Sequence, residues 1–345
     1  MKFAVGYQLP RPGGESLVDI VGEYRTHIDE VYFPWLDMPS GRSPLSATLD
    51  DDMAPVAMQQ HLEADLKAFR EMGLKLNLLF NASCYGKLAF SRTLSNKVRV
   101  VVGHLADIVG LDVVTTMSPT IAKLLQTEHP GIDVRASVNM RLDTVRSLRY
   151  VADLFDSYSM QKECNRDLRR IAEMKTWCDH EGKRLHMLAN SGCLGSCSLQ
   201  TFHDNLVAHE KELSEDDDAE DDIPALCWQF YRDPGHWVEF LRNSWVRPED
   251  MHHYEPWFSV VKLATRMHAN PRKVIAAYVE GKFAGNLADL LEPGHGVLFA
   301  PRVFDNSRFP DDWFEKSTST ESSPETDRYY ADVLERVLVD TAEST

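Results

Sequence analysis

His61-Leu-Glu-Ala-Asp-Leu-Lys-Ala-Phe-Arg-Glu-Met-Gly-Leu-Lys-Leu-Asn-Leu-Leu-Phe-Asn81 is the stretch whose reading decides the fold. Leu62, Leu66, Phe69 and Met72 recur at helical spacing and make one apolar stripe. Gly73 follows where a helix commonly ends on a left-handed residue. Residues 75–81 are then a short, almost unbroken apolar run, the pattern of a strand buried on both faces. A helix running straight into such a strand is half of a βαβ crossover, which implies a parallel sheet.

The same unit recurs on both sides. Strand candidates fall at 2–7, 29–35, 75–81, 111–116, 134–139, 154–159, 184–189 and 237–241, with helices expected at 61–72, 94–109, 119–128, 144–151, 165–180 and 256–267. Ser16 is a plausible cap for an earlier helix through Leu17, Ile20, Val21 and Tyr24. Eight strands in this alternation predict an α/β protein, a (β/α)8 TIM-type barrel; an open doubly wound sheet is the alternative. The barrel is expected over 1–300. A C-terminal extension, 301–345, is expected to be partly disordered, with 316–327 as a flexible linker and 329–339 as a docking helix.

With 345 residues, 43% hydrophobic, the chain is long enough for one large core. A formal charge of −16 argues against a broad nucleic-acid surface. Part of that charge is local: 210–222 is an acidic run too repulsive to pack, read as a surface insertion. No apolar run is long enough to span a bilayer, and no signal pattern opens the sequence. A cytoplasmic setting is therefore expected, with the six cysteines as thiols or ligands rather than disulfides.

Active sites of such barrels lie at the C-terminal ends of the strands. Cys84 follows the third strand candidate, Cys164 the sixth, and Cys193 and Cys197 the seventh; Cys227 precedes the last. Cys178 falls inside a helix and reads as structural. Four thiolates around a small volume are what a four-iron, four-sulfur (4Fe-4S) cluster needs. Cys193, Cys197 and Cys227 are the first three expected ligands; Cys84 is preferred to Cys164 as the fourth. Zinc is the alternative, because Cys193, Cys197, His203 and His209 offer two thiols and two imidazoles.

Polar residues share this rim: Asn81, Asn139, Asn190, Arg166 and Asp167. Arg242 and Arg247 follow the last strand candidate and offer bidentate anion binding, or else a structural Arg–Glu network. Arg166, Asp167 and Arg242 are the candidate catalytic residues. No dinucleotide fingerprint, P-loop, zincin helix, nucleophile elbow or radical-SAM cysteine run is present.

Ser191-Gly192-Cys193-x3-Cys197, Asn165-Arg166-Asp167-Leu168, and Val261-Lys-Leu-Ala-Thr-Arg266 with Gly285-Asn286-Leu287 resemble segments of the peptidase U32 family, the collagenase-like peptidases. The resemblance spans about 2–291 in organisation and short patches in sequence. It implies a TIM barrel and, in several members, a 4Fe-4S cluster on four cysteines serving oxygen-independent hydroxylation; other members are known as peptidases. This chain departs from the pattern: Asp167 stands where Glu is usual, Ala264-Thr265 replaces the Gly before Arg266, and the acidic run separates Cys197 from Cys227.

The resulting expectation is an iron–sulfur oxidoreductase acting on a small or prenylated substrate. The alternatives are a hydrolase using Cys193 or a bound zinc, and a non-catalytic barrel that needs a protein partner to complete its site, as in a hetero-oligomer.

Overall fold

A computed structural model describes residues 1–10, 13–36, 38–41, 55–210, 212, 226–319 and 323–341. Of the acidic run, only Glu210 and Glu212 fall within that set.

The chain runs β1 (Lys2–Gly6), α1 (Leu17–Glu23), β2 (Ile28–Pro34), α2 (Pro55–Glu71), β3 (Lys75–Phe80), α3 (Arg92–Ile108), β4 (Val113–Thr116) and α4 (Pro119–Glu128). It continues through β5 (Asp133–Ala136), α5 (Val145–Tyr150), β6 (Ser157–Ser159), α6 (Leu168–His180), β7 (Arg184–His186) and α7 (Gln200–Ala208). Then come α8 (Leu226–Tyr231), α9 (Val238–Leu241), β8 (Val260–Lys262) and α10 (Pro271–Glu280). The remainder is α11 (Gly296–Phe299), β9 (Arg302–Phe304), α12 (Trp313–Ser317), α13 (Pro324–Val337) and β10 (Leu338–Asp340).

All eight strands of the main sheet pair in parallel, in the order β7-β6-β5-β4-β3-β2-β1-β8. The ring shuts where the chain past β7 meets β8. Lys262 N donates to the Met187 carbonyl at 2.9 Å, and Ala189 N to the Lys262 carbonyl at 3.0 Å. The fold is the expected (β/α)8 barrel, not an open sheet. Hydroxyl caps start several helices: Ser91 accepts from Leu94 N, and Ser118, just before Pro119, from Ile121 N.

Alternation along each strand divides the side chains between two environments. Outward residues such as Val31, Phe33, Leu76, Leu78 and Val114 pack on Leu62, Leu66, Phe69 and Val98 of the helices. Each such fully buried side chain contributes roughly 1.5–3 kcal/mol. The inside of the barrel differs from the usual filling of branched apolar residues. Its apolar part is small, Ala4, Tyr32 and Leu79. Below these, Asn77 Nδ2 donates to Glu30 Oε1 at 2.7 Å, Thr115 Oγ1 to Asn77 Oδ1 at 2.9 Å, and Arg135 to Glu30.

The eighth strand is not at 237–241. That segment enters α9 through a tight turn, and the strand is Val260–Lys262, inside the stretch expected as a helix. Trp237, Phe240 and Leu241 stand at helical spacing, and Trp237 and Phe240 close on Phe299. A three-residue strand is too short for alternation to show.

The C-terminal residues pack on the barrel. Trp313 stacks on Trp245 with ring centroids 5.7 Å apart, and β10 pairs antiparallel with β9. The helix expected at 329–339 starts earlier, at Pro324, inside the stretch expected as a linker. Ser323 caps it by accepting from Thr326 N, and Tyr330, Val333 and Val337 are its buried stripe. The polar composition of 316–327 hid that start. Among the described residues, no helix is long and apolar enough to cross a membrane.

Candidate functional site

The loop after β7 is built by close backbone approach. Gly192 N donates to the Glu292 carbonyl at 3.0 Å, and a Cβ on Gly192 would stand 2.1 Å from the Pro293 carbonyl oxygen. Only glycine fits there. Asn190 is fully buried and rivets three segments. Its Nδ2 donates to the carbonyls of Ala264 (3.0 Å) and Leu290 (2.8 Å), while its Oδ1 accepts from Ala264 N at 2.6 Å.

Asn243 then ties this loop to α8. Its Oδ1 accepts from Gly195 N at 2.7 Å, and its Nδ2 donates to the Tyr231 hydroxyl at 2.9 Å. Gly195 lies between Cys193 and Cys197, and Tyr231 is one helical turn past Cys227. One buried side chain therefore holds the two segments that carry three thiols. Burial pushes the Cys227 thiol up, and Cys193 and Cys197 beside it add to that. Three of the expected ligands thus lie on neighbouring segments at the C-terminal mouth.

Cys84 is not with them. It lies past β3, on the far side of the mouth, where the His209 ring comes close enough to its sulfur to lower its pKa. Helix α7 separates the two groups, with Cys197 before its first turn and His209 just after its last. At 1.5 Å per residue that helix spans about 14 Å. The expected zinc set is divided by the same helix. Cys164, the competing fourth ligand, is buried, which pushes its thiol up to about 11; Cys178 is buried in α6 and pushed up to about 12. Among the described residues, no group of three or more His, Cys, Asp or Glu side chains is placed so as to hold a metal ion. The thiols of Cys193, Cys197 and Cys227 suit a soft metal by chemistry, but in this structure they do not stand as a ligand set. The full four-cysteine set does not fit.

A residue that the spacing of motifs missed packs against the helix that carries Cys227. His295 is 1% exposed, and its ring packs against Tyr231 (centroids 5.5 Å apart) and Trp228 (6.1 Å). Neither ring nitrogen has a hydrogen-bond partner of good geometry. Burial pushes its pKa down to about 4, against the pull of the neighbouring Gly192 backbone, so the imidazole is neutral. A groove alongside is lined by His203, Cys227, Trp228, Met267, Pro293 and Val297. Trp228 and Val297 are exposed there.

The three candidate catalytic residues have other work. Arg166 is sandwiched between Trp245 and Trp313, 4.6 and 5.2 Å from their ring centroids. It donates to the carbonyls of Leu241 (2.6 Å) and Trp245 (3.0 Å). Asp167 caps α6, accepting from Arg170 N at 2.9 Å. Arg242 pairs with Asp327 of α13 at 2.7 Å and lies over Tyr330. Arg247 joins Asn306 and Glu249, the structural network of the two readings. Asn81 and Asn139 do meet at the mouth, Asn139 Nδ2 donating to the Asn81 carbonyl at 3.3 Å.

Two charged residues of the segment 261–266 stand inside the barrel. Lys262, on β8, holds its Nζ 3.9 Å above the Tyr32 ring, and burial, with the Arg266 guanidinium close by, pushes it down to about 7. Arg266 Nη1 donates to Ser40 Oγ at 2.8 Å. Nothing in a three-residue strand distinguishes such a lysine from a surface one.

Fold and mouth together define a (β/α)8 barrel with a thiol-bearing C-terminal rim. No protein-family model and no curated protein sequence matches the chain. Among solved structures it is similar to the U32 peptidase Mk0906, with a TM-score of 0.53 and 16% identity over 77% of this chain and 93% of that one. A chitinase from Rhizomucor miehei is more distant, with a TM-score of 0.40 and 10% identity over 81% of this chain and 99% of that one. The first likeness shows a shared barrel fold.

Proposed function

We propose that this protein is an iron–sulfur oxidoreductase of the U32 barrel type, an oxygen-independent hydroxylase-like enzyme. The observation that carries this reading is the placement of Cys193, Cys197 and Cys227 on neighbouring segments at the mouth, positioned through Asn243. We assign these three thiols to a 4Fe-4S cluster, which would require the β7 loop and α8 to draw closer than they stand here, with His295, packed on Trp228 and Tyr231 of α8, as the proposed fourth donor. The cluster, when bound, supplies one-electron transfer.

The protein's own residues would supply the rest. Asn190 and Gly192 fix the loop, Asn243 sets its distance from α8, and the buried Tyr231 ring backs it from the inside. The groove with Trp228, Met267 and Val297 supplies apolar contact for a small or prenylated substrate, and the polar pair Asn81 and Asn139 lies elsewhere on the rim.

Anaerobic purification with iron, acid-labile sulfide and zinc analysis tests the reading. A broad absorbance band near about 400 nm with about four irons per chain is the expected result. Colourless protein with one zinc per chain would overturn it, because three thiols and one imidazole are also a common structural zinc set.

A further inference from the structure

The opposite side of the mouth carries a second arrangement that the cluster reading does not use. Cys84 Sγ accepts a hydrogen bond from the Gly86 N–H at 3.3 Å, and the His209 ring lies against the same turn, close enough to the sulfur to lower its pKa. His209 Nδ1 is 2.9 Å from Glu212 Oε2. With Nδ1 committed to the carboxylate, Nε2 is the nitrogen left for the thiol. The ring is packed on the turn itself: a Cβ at Gly86 would lie 3.5 Å from His209 Cε1, and Gly86 has φ +51. Sulfur, imidazole and carboxylate thus form a relay of the kind that activates nucleophilic thiols.

We propose that Cys84 and His209 form a thiolate–imidazolium pair, a reactive-thiol site that takes low-molecular-weight disulfides. The Cys84 thiolate attacks one sulfur of the disulfide and that S–S bond breaks. A mixed disulfide forms on Cys84, and the other half leaves as a thiolate that takes its proton from the His209 imidazolium. The oxidant is the disulfide itself, so the step needs no cluster and stands or falls apart from it.

The surroundings agree with this. The His209 imidazole, followed by the Gly86 N–H, holds the Cys84 thiol below the usual range, and Cys84, followed by Glu212, raises His209. The titrating groups that face the sulfur are His209 and Glu212, the latter opposing. The Tyr85 hydroxyl is turned away, donating to the Phe80 carbonyl at 2.8 Å. Burial pushes Cys164, Cys178 and Cys227 in the other direction. Modification of Cys84 also disturbs the contact between the end of α7 and the β3 loop.

The test uses the full-length protein, iodoacetamide or glutathione disulfide as probe, and peptide mass spectrometry to follow each cysteine. At about pH 6, Cys84 is expected to react at least about tenfold faster than Cys164 or Cys178, and its rate profile is expected to lie on the acid side of an ordinary thiol's. His209→Gln is expected to slow Cys84 about tenfold at that pH and to leave its alkaline rate unchanged. A Cys84 rate that follows an ordinary thiol titration near about 8.5 in the unmodified protein overturns the proposal, as does an equal slowing by His209→Gln at both pH values. If His209→Gln does not fold, the profile of the unmodified protein decides alone.

Discussion

Glu30 and Arg135 meet in a two-pronged ion pair across the inside of the barrel, Arg135 Nη1 lying 2.8 Å from Glu30 Oε1 and Nη2 2.9 Å from Oε2. Their strands, β2 and β5, are not neighbours, so the pair braces the barrel through its centre. Both side chains are buried, and Asn77 and Ser157 occupy further hydrogen-bonding positions around them. Removing one partner takes away the closest compensating charge: without Glu30, Arg135 keeps only Asp133 at 3.5 Å. Glu30→Ala or Arg135→Ala is expected to cost about 3–5 kcal/mol in urea unfolding, whereas replacing both with apolar residues of similar volume costs much less. Equal losses from single and double replacement would contradict this account.

Lys262 gives the same interior a pH dependence. Its folded-state pKa, about 7, lies below the roughly 10.4 of an unfolded lysine. Below about pH 7 both states carry the proton and the folded state bears the whole cost of burying a charge. Between the two values the unfolded state alone holds the proton, so stability rises with pH. Relative to Lys262→Met, the protein is expected to gain up to about 1.4 kcal/mol per pH unit above neutrality. Paired urea titrations at several pH values check it, because other titrating groups largely cancel in the difference. A flat difference would rule it out.

The sequence made the barrel legible because seven of its strands sit beside helices with clear apolar stripes, as Lys75–Phe80 does beside Pro55–Glu71. The eighth was hidden because Val260–Lys262 is too short to show a period, while Trp237, Phe240 and Leu241 supply a misleading apolar run. At the site, strand-end position was enough to bring Cys193, Cys197 and Cys227 to one rim. It could not tell that Cys84 is on the far side, because the course of α7 across the mouth leaves no mark in residue spacing. His295 was illegible for a related reason: it packs against Trp228 and Tyr231 of α8 from a segment about seventy residues downstream. Arg166 looked like a site residue at a helix start, but its partners are main-chain carbonyls and two tryptophans, contacts that sequence does not record.

That clamp makes its own prediction. Arg166 is enclosed by Trp245 and Trp313 and donates to two carbonyls, so it joins α9 and α12 to the barrel. Arg166→Met keeps the bulk but abandons both carbonyls. It is expected to destabilise the fold by about 2–4 kcal/mol and to speed hydrogen exchange in α12 and α13 first. Full stability with loss of activity alone would instead assign Arg166 to the chemistry.

On the proposed cluster assignment, bound iron reports the division of the cysteines. Cys193, Cys197 and Cys227 lie on segments joined by Asn243, so replacing any of them with serine is expected to remove most of the iron and sulfide. Asn243→Ala touches no thiol, yet it frees Gly195 N and the Tyr231 hydroxyl together, and is expected to lower iron content while leaving all six cysteines titratable. His295→Ala is expected to keep iron but change the cluster's electron paramagnetic resonance after reduction, since one position loses its imidazole. Cys84→Ser is the control, with His209 rather than the other thiols as its partner, and it is expected to retain full iron and an unchanged spectrum. Loss of iron in Cys84→Ser, with retention in His295→Ala, would return Cys84 to the ligand set and require α7 to move when the cluster binds.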